Sequence, residues 1–107
     1  MVASRFAVFL VPLDPVRGSE IRKTRPCVVV SPDEMNDSLR TVIVAPMTSN
    51  IKPSPMRVRL RFANREGSIA LDQIRTIDKS RLVKSLGRVS EAAGMNVLAI
   101  LREMFAE

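Results

Sequence analysis

Before Ser90, every apolar run in this chain is short and is stopped by proline, glycine or a polar cluster. That punctuation admits short strands and little else. Phe6–Leu13 halts at Asp14-Pro15, with Arg17-Gly18 completing a turn and loop. Arg25–Ser31, dense in valine, halts at Pro32, where Pro32-Asp33 opens a turn or helical piece through Asn36. Thr41–Pro46 reads as a third strand. Thr48–Pro55, with Ser49, Asn50, Pro53, Ser54 and Pro55, has a loop composition. Phe6–Leu13 is apolar on both faces, which predicts burial on both.

Met56–Phe62 alternates cleanly, with Arg57, Arg59 and Arg61 on one face and Met56, Val58, Leu60 and Phe62 on the other. A half-buried strand with a basic outer face follows. Asn64–Gly67 is expected as a turn, Ser68–Leu71 as a short strand, Asp72 to Arg81 as a polar stretch, and Leu82–Val89 as a last strand. From Ser90 the period changes. Val97, Leu98, Leu101, Met104 and Phe105 recur at helical spacing, Ser90 suits an N-cap, and Glu91 lies in the first turn. The stripe is expected to pack on the sheet, or in part to meet a second copy; Gly94 weakens the first turn. The fold class predicted is mainly β: a small, strongly bent barrel with a C-terminal α-helix, residues 1–107 forming one domain.

At 46% apolar residues the chain of 107 is too hydrophobic for disorder. Its net charge of +6 favours polyanions, nucleic acid first among them. Cys27 is the one cysteine and there is no histidine. An intrachain disulfide and a Cys/His zinc site are therefore excluded, and a cytoplasmic location is expected. The commonest general base at neutral pH is also missing, so chemistry falls to carboxylates, hydroxyls, Arg or Lys. Phe6–Val11 is too short for a signal peptide, and no run approaches the length of a membrane span. Phe6, Phe9, Phe62 and Phe105 all read as core, which leaves no platform for stacking bases. Cys27, inside an apolar strand, reads as inert packing.

The segment GSEIRKTRPCVVVSP, Gly18 to Pro32, feeds a polar loop into a stiff strand and sets Arg25 and Pro26 at the junction. Functional loops on rigid scaffolds look like this. Taken alone, Arg25 reads first as an ion-pair partner for Glu20, and Thr48 first as a turn hydroxyl closing its own loop.

Three segments, RGSEIRKTRPCVVVSPDEMN (Arg17–Asn36), TVIVAPMTS (Thr41–Ser49) and LDQIRTIDKSRL (Leu71–Leu82), resemble the MazF/PemK family of bacterial toxin–antitoxin ribonucleases. The resemblance implies an SH3-like barrel, a homodimer and a cognate antitoxin protein as partner. It also implies cleavage of single-stranded RNA, mostly mRNA, to 2′,3′-cyclic phosphate and 5′-hydroxyl ends, without a metal or other cofactor. Arg25 matches the family's catalytic arginine, Thr48 its catalytic hydroxyl, and Glu20 an acidic residue of its loop, a base or a substrate guide. Negative charge grows on phosphate oxygens in that reaction, and an arginine fork and a hydroxyl donor suit it. Ser19, Arg22, Lys23, Ser49, Asn50, Lys52, Arg57, Asp72 and Gln73 are the expected RNA contacts, with Arg59, Arg61 and Arg65 extending the basic face. Ala70 stands where the PemK branch has an arginine, and the missing histidine departs from that branch too, so the MazF-like pair fits better. The alternative is a binding module on the same fold: a gyrase poison like CcdB, or a silent binder of antitoxin or RNA.

Overall fold

The computed structural model describes residues 2–51 and 53–107. Seven strands run in the order β1 (Ala7–Pro12), β2 (Thr24–Val29), β3 (Thr41–Thr48), β4 (Arg57–Phe62), β5 (Arg65–Ala70), β6 (Arg75–Asp78) and β7 (Lys84–Arg88). A short helix α1 (Asp33–Ser38) joins β2 to β3, and α2 (Glu91–Met104) closes the chain. Single 3-10 turns lie at Leu71–Gln73 and Lys79–Arg81.

Every strand pairing is antiparallel, in the spatial order β4-β5-β3-β2-β1-β7, with β6 added on β3. The long strand β3 is the axis. One edge takes β6 along its first half, Thr41 opposite Asp78 to Val44 opposite Arg75, and then β5, Met47 opposite Ile69 and Thr48 opposite Ser68. The other edge takes β2, with Val29 opposite Val44 and Cys27 opposite Pro46. The sheet curls into a half-barrel until its end strands meet: a Cβ on Gly87 of β7 would lie 4.0 Å from the Phe62 ring of β4.

The apolar reading of both faces of β1 and β2 has a direct cause. Phe9, Val11, Cys27 and Val29 join a cluster on one face with Val42, Val44 and Ile77. Val8, Val28 and Val30 join a second cluster with Ala45, Ile69, Leu71 and Val97, on the face covered by α2. Ser90 caps α2, its Oγ accepting from Ala93 N at 3.1 Å, and Ala93, Ile100, Leu101 and Met104 pack on that second cluster.

Five expectations need correction. Phe105 is 71% exposed, not core. It is the C-cap of α2, beyond the last residue that keeps helical spacing. The β4–β5 turn lies at Ala63-Asn64, with φ of 50° and 62°, and not at Asn64–Gly67. Two consecutive left-handed residues make the tight hairpin whose twist matches its strands, and Ala63 is no sequence signal for one. Strand β6 lies inside the stretch expected to be polar loop, since only Ile77 of its four residues is buried. Finally, β3 runs through Thr48, and β7 is shorter than Leu82–Val89. Among the described residues no helix is long and apolar enough to cross a membrane.

Candidate active site

Arg25 and Thr48 are far apart in sequence and border one cavity. The β2–β3 ladder ends with Cys27 opposite Pro46. The cavity, of about 320 Å³, is also lined by Pro26, Ser49, Leu60, Phe62 and Leu86. The cavity lies where the curled sheet brings β4 and β7 towards each other.

Arg25 is half-buried, and its Nε donates to the Arg22 carbonyl at 3.0 Å. That bond holds the guanidinium against the β1–β2 loop. Among the described residues its terminal nitrogens face no carboxylate within ion-pair distance. Among the described residues the ion pairs join Arg57 to Asp72, at 3.1 Å, and Arg59 and Arg61 to Glu66. Glu20 does not pair with Arg25; its Oε1 accepts from the backbone N–H of Arg17.

Thr48 Oγ1 accepts from Asn50 N at 3.2 Å. The turn-closing role is thus real, yet it uses only an acceptor site of the hydroxyl. A threonine hydroxyl also has one proton to donate. Strand β5 fixes this corner. Buried Ser68 donates from Oγ to the Asn50 carbonyl at 2.9 Å, and Gly67 presses on the Thr48 carbonyl. Sequence reasoning placed Gly67 in a turn and so missed it. A glycine inside a strand is the signal for close backbone approach.

Glu20 lines a separate cavity of about 630 Å³ with Ser19, Ile21, Asp72, Gln73 and Arg75. The candidate RNA contacts thus divide. Ser49 borders the Arg25–Thr48 cavity, whereas Ser19, Asp72 and Gln73 border the other. Arg22 and Lys23 are exposed on the loop between them. Asn50 is tied by its backbone to Thr48 and Ser68. Lys52 lies outside the described residues. The basic face of β4 is partly neutralised: Arg57 makes a two-pronged contact with Asp72, its Nη2 reaching Oδ2 at 3.2 Å, and Glu66 serves both Arg59 and Arg61. Glu66 also lines the Arg25–Thr48 cavity, with its carboxylate engaged by those two arginines.

A curled antiparallel half-barrel with a C-terminal helix is the fold of a group of small bacterial toxins. A crystal structure of MazF from Deinococcus radiodurans superposes with a TM-score of 0.85 at 24% identity, covering 97% of this chain and 96% of that one. A mycobacterial endoribonuclease solved in complex with its cognate antitoxin has a TM-score of 0.80 at 22% identity, covering 94% of this chain and 91% of that one. Sequence similarity carries the matter further. The family described as PemK-like, MazF-like toxin of type II toxin-antitoxin system matches residues 4–105. The curated Endoribonuclease MazF of Staphylococcus epidermidis is 35% identical over 84% of this chain and 80% of its own length. Endoribonuclease MazF9 of Mycobacterium tuberculosis is 39% identical over 82% of this chain and 83% of its own length. The chain belongs to the PemK/MazF-like toxin family.

Proposed function

We propose that this chain is the toxin of a type II toxin–antitoxin pair and acts as an endoribonuclease on single-stranded RNA, mRNA in particular. The observation that carries the reading is the placement of Arg25 and Thr48 at one cavity, with the Arg25 terminal nitrogens free of carboxylate partners among the described residues. In the reaction proposed, the ribose 2′-oxygen bonds to the adjacent phosphorus and gives up its proton. The bond from phosphorus to the 5′-oxygen breaks, and that oxygen gains a proton to leave as a 5′-hydroxyl. The Arg25 fork receives the charge that grows on the non-bridging oxygens, and the Thr48 proton adds a donor to the same place. A guanidinium with no counter-ion of its own among the described residues is matched to a dianionic phosphorane, and no cofactor enters the proposed step.

Glu20 belongs to the loop and not to this pair, since its carboxylate closes a turn onto Arg17. Its proposed role is to shape the loop over which RNA runs. The rest of the reading is a cytoplasmic homodimer of this one domain, silenced by a cognate antitoxin; relatives of known structure have been solved with MazE or another cognate antitoxin. The excess of positive charge suits both an RNA and an acidic protein segment.

The test is cleavage of a long single-stranded RNA by purified protein in EDTA, with the ends mapped. Discrete cuts with cyclic phosphate and 5′-hydroxyl ends are expected, and Arg25→Ala is expected to abolish them. Intact RNA with the wild type, or equal cutting by Arg25→Ala, overturns the reading.

A further inference from the structure

The segment Leu71–Leu82 stood out in the sequence, yet none of its residues borders the Arg25–Thr48 cavity. Three of its polar side chains, Gln73, Arg75 and Arg81, turn instead to the loop between β1 and β2, residues 13–23, or its root, whereas Asp72 pairs with Arg57 and Lys79 donates to the Asn36 carbonyl. Arg75 Nη1 donates to the Leu13 carbonyl at 3.0 Å. Arg81 Nη2 donates to the carbonyls of Pro12 and Asp14. These bonds fix the root of the loop. Gln73 reaches its middle: Oε1 accepts from Ile21 N at 2.6 Å, and Nε2 donates to the Ser19 carbonyl at 3.4 Å. The residue after Ile21 is Arg22, whose carbonyl accepts from Arg25 Nε at 3.0 Å.

We propose that Gln73 is a positioning residue for Arg25, acting through the peptide Ser19–Arg22, with Arg75 and Arg81 holding the root of the same loop. The proposal rests on the catalytic reading of Arg25. The neck of the loop is closed by Lys23, whose N–H donates to Asp14 Oδ2 at 3.2 Å and whose carbonyl accepts from Leu13 N at 2.9 Å, and Gln73 adds the tie at its middle. Its internal bonds, Glu20 N to Arg17 O at 3.1 Å and Arg22 Nη2 to Gly18 O at 3.2 Å, shape it without anchoring it. Ile21 packs against the core only partly buried. A primary amide is the side chain this position needs, because it accepts from one backbone group while donating to another. Side chains that orient the groups acting on substrate commonly govern rate without touching the substrate.

Two variants separate positioning from direct contact with RNA. Gln73→Glu keeps the acceptor for Ile21 N and loses the donor to Ser19. Gln73→Met keeps the length and loses both. If Gln73 positions Arg25, Met is the worse variant, with kcat lowered at least tenfold and KM little changed, and Glu restores much of the rate. If Gln73 contacts RNA, Glu is the worse variant, because an added negative charge repels the backbone, and the loss falls on KM; that result overturns the proposal. A second arm needs no catalysis. In NMR of the free protein, Gln73→Met is expected to speed hydrogen exchange at the Ile21 amide and at Arg25 Nε–H by tenfold or more, with the urea midpoint held. An unchanged Arg25 Nε–H signal overturns the proposal. Absence of cleavage by the wild type would overturn the nuclease reading instead, leaving the exchange arm to decide the linkage.

Discussion

A Cβ on Gly67 would stand 2.7 Å from the main-chain carbonyl oxygen of Thr48. No side chain fits at residue 67 unless the end of β3 moves, and the end of β3 carries the proposed catalytic hydroxyl. Gly67→Ala is therefore expected to act on activity more than on folding. A displacement approaching 1 Å at a reacting group can cost about a hundredfold in rate, while the overpacking itself costs about 1–3 kcal/mol. Cleavage rates set beside urea unfolding check this. An unchanged rate with lowered stability would mean that the corner relaxes away from Thr48.

The Thr48 hydroxyl accepts from Asn50 N and keeps its proton. If that proton serves the phosphate, Thr48→Val should lower kcat by about 10²–10³-fold, the usual effect of losing one such donor. Thr48→Ser retains both functions and is expected to stay near wild type. Single-turnover cleavage with saturating protein measures the step directly. Equal losses in Val and Ser would assign the effect to packing.

The fold was largely legible because each β-branched run lies between breakers, and two buried faces demand the continuous apolar pattern of β1 and β2. What escaped followed from tertiary relations. Strand β6 is held by pairing with β3, from Arg75 opposite Val44 to Asp78 opposite Thr41, and not by its own polar composition. The hairpin at Ala63-Asn64 uses a residue that does not advertise a left-handed conformation. Phe105 follows the helical period on paper, but the helix ends at Met104. The loop-to-strand junction marked Arg25, while Thr48 was nameable only through family motifs; that both border one cavity is invisible to composition or spacing. Gln73 was an expected contact for RNA, and its hydrogen bonds to Ile21 and Ser19 leave no local trace in the sequence.

Gly94 stands in the first turns of α2, where alanine would be favoured by about 1 kcal/mol on helix propensity alone. The Phe6 ring forbids it: a Cβ at residue 94 would lie 2.7–2.9 Å from three ring atoms. The main chain under the ring is pinned, Phe6 N donating to Val29 O at 2.7 Å and Phe6 O accepting from Val89 N at 3.1 Å, so relief is left to rotation of the ring itself. Gly94→Ala is expected to destabilise the protein by about 1–3 kcal/mol despite the better helix former. The urea midpoint gives the sign. Phe6→Leu, which trims the ring, should make the same substitution less costly, and additivity of the two changes would count against the contact.

Cys27 tests the other core cluster through pH. Its thiol is fully buried, donates to the Arg25 carbonyl at 3.6 Å, and is pushed up from 9.0 to about 12 by loss of solvent, against a smaller opposing pull from Arg75 and Arg81. Below pH 9 the thiol is protonated in both folded and unfolded chains and stability is unaffected. Between pH 9 and about 12 the unfolded chain ionises and the folded one does not, so stability falls as pH rises. The slope approaches about 1.4 kcal/mol per pH unit for one proton. Lysines also titrate in this window, so the measurement is the difference between wild type and Cys27→Ala in urea unfolding across the alkaline range. The variant should be less stable at pH 8, because it leaves a void, and should show the shallower slope. Alkylation by iodoacetamide at pH 8 should likewise proceed only as fast as the sheet opens, since the thiolate that reacts is absent from the folded protein.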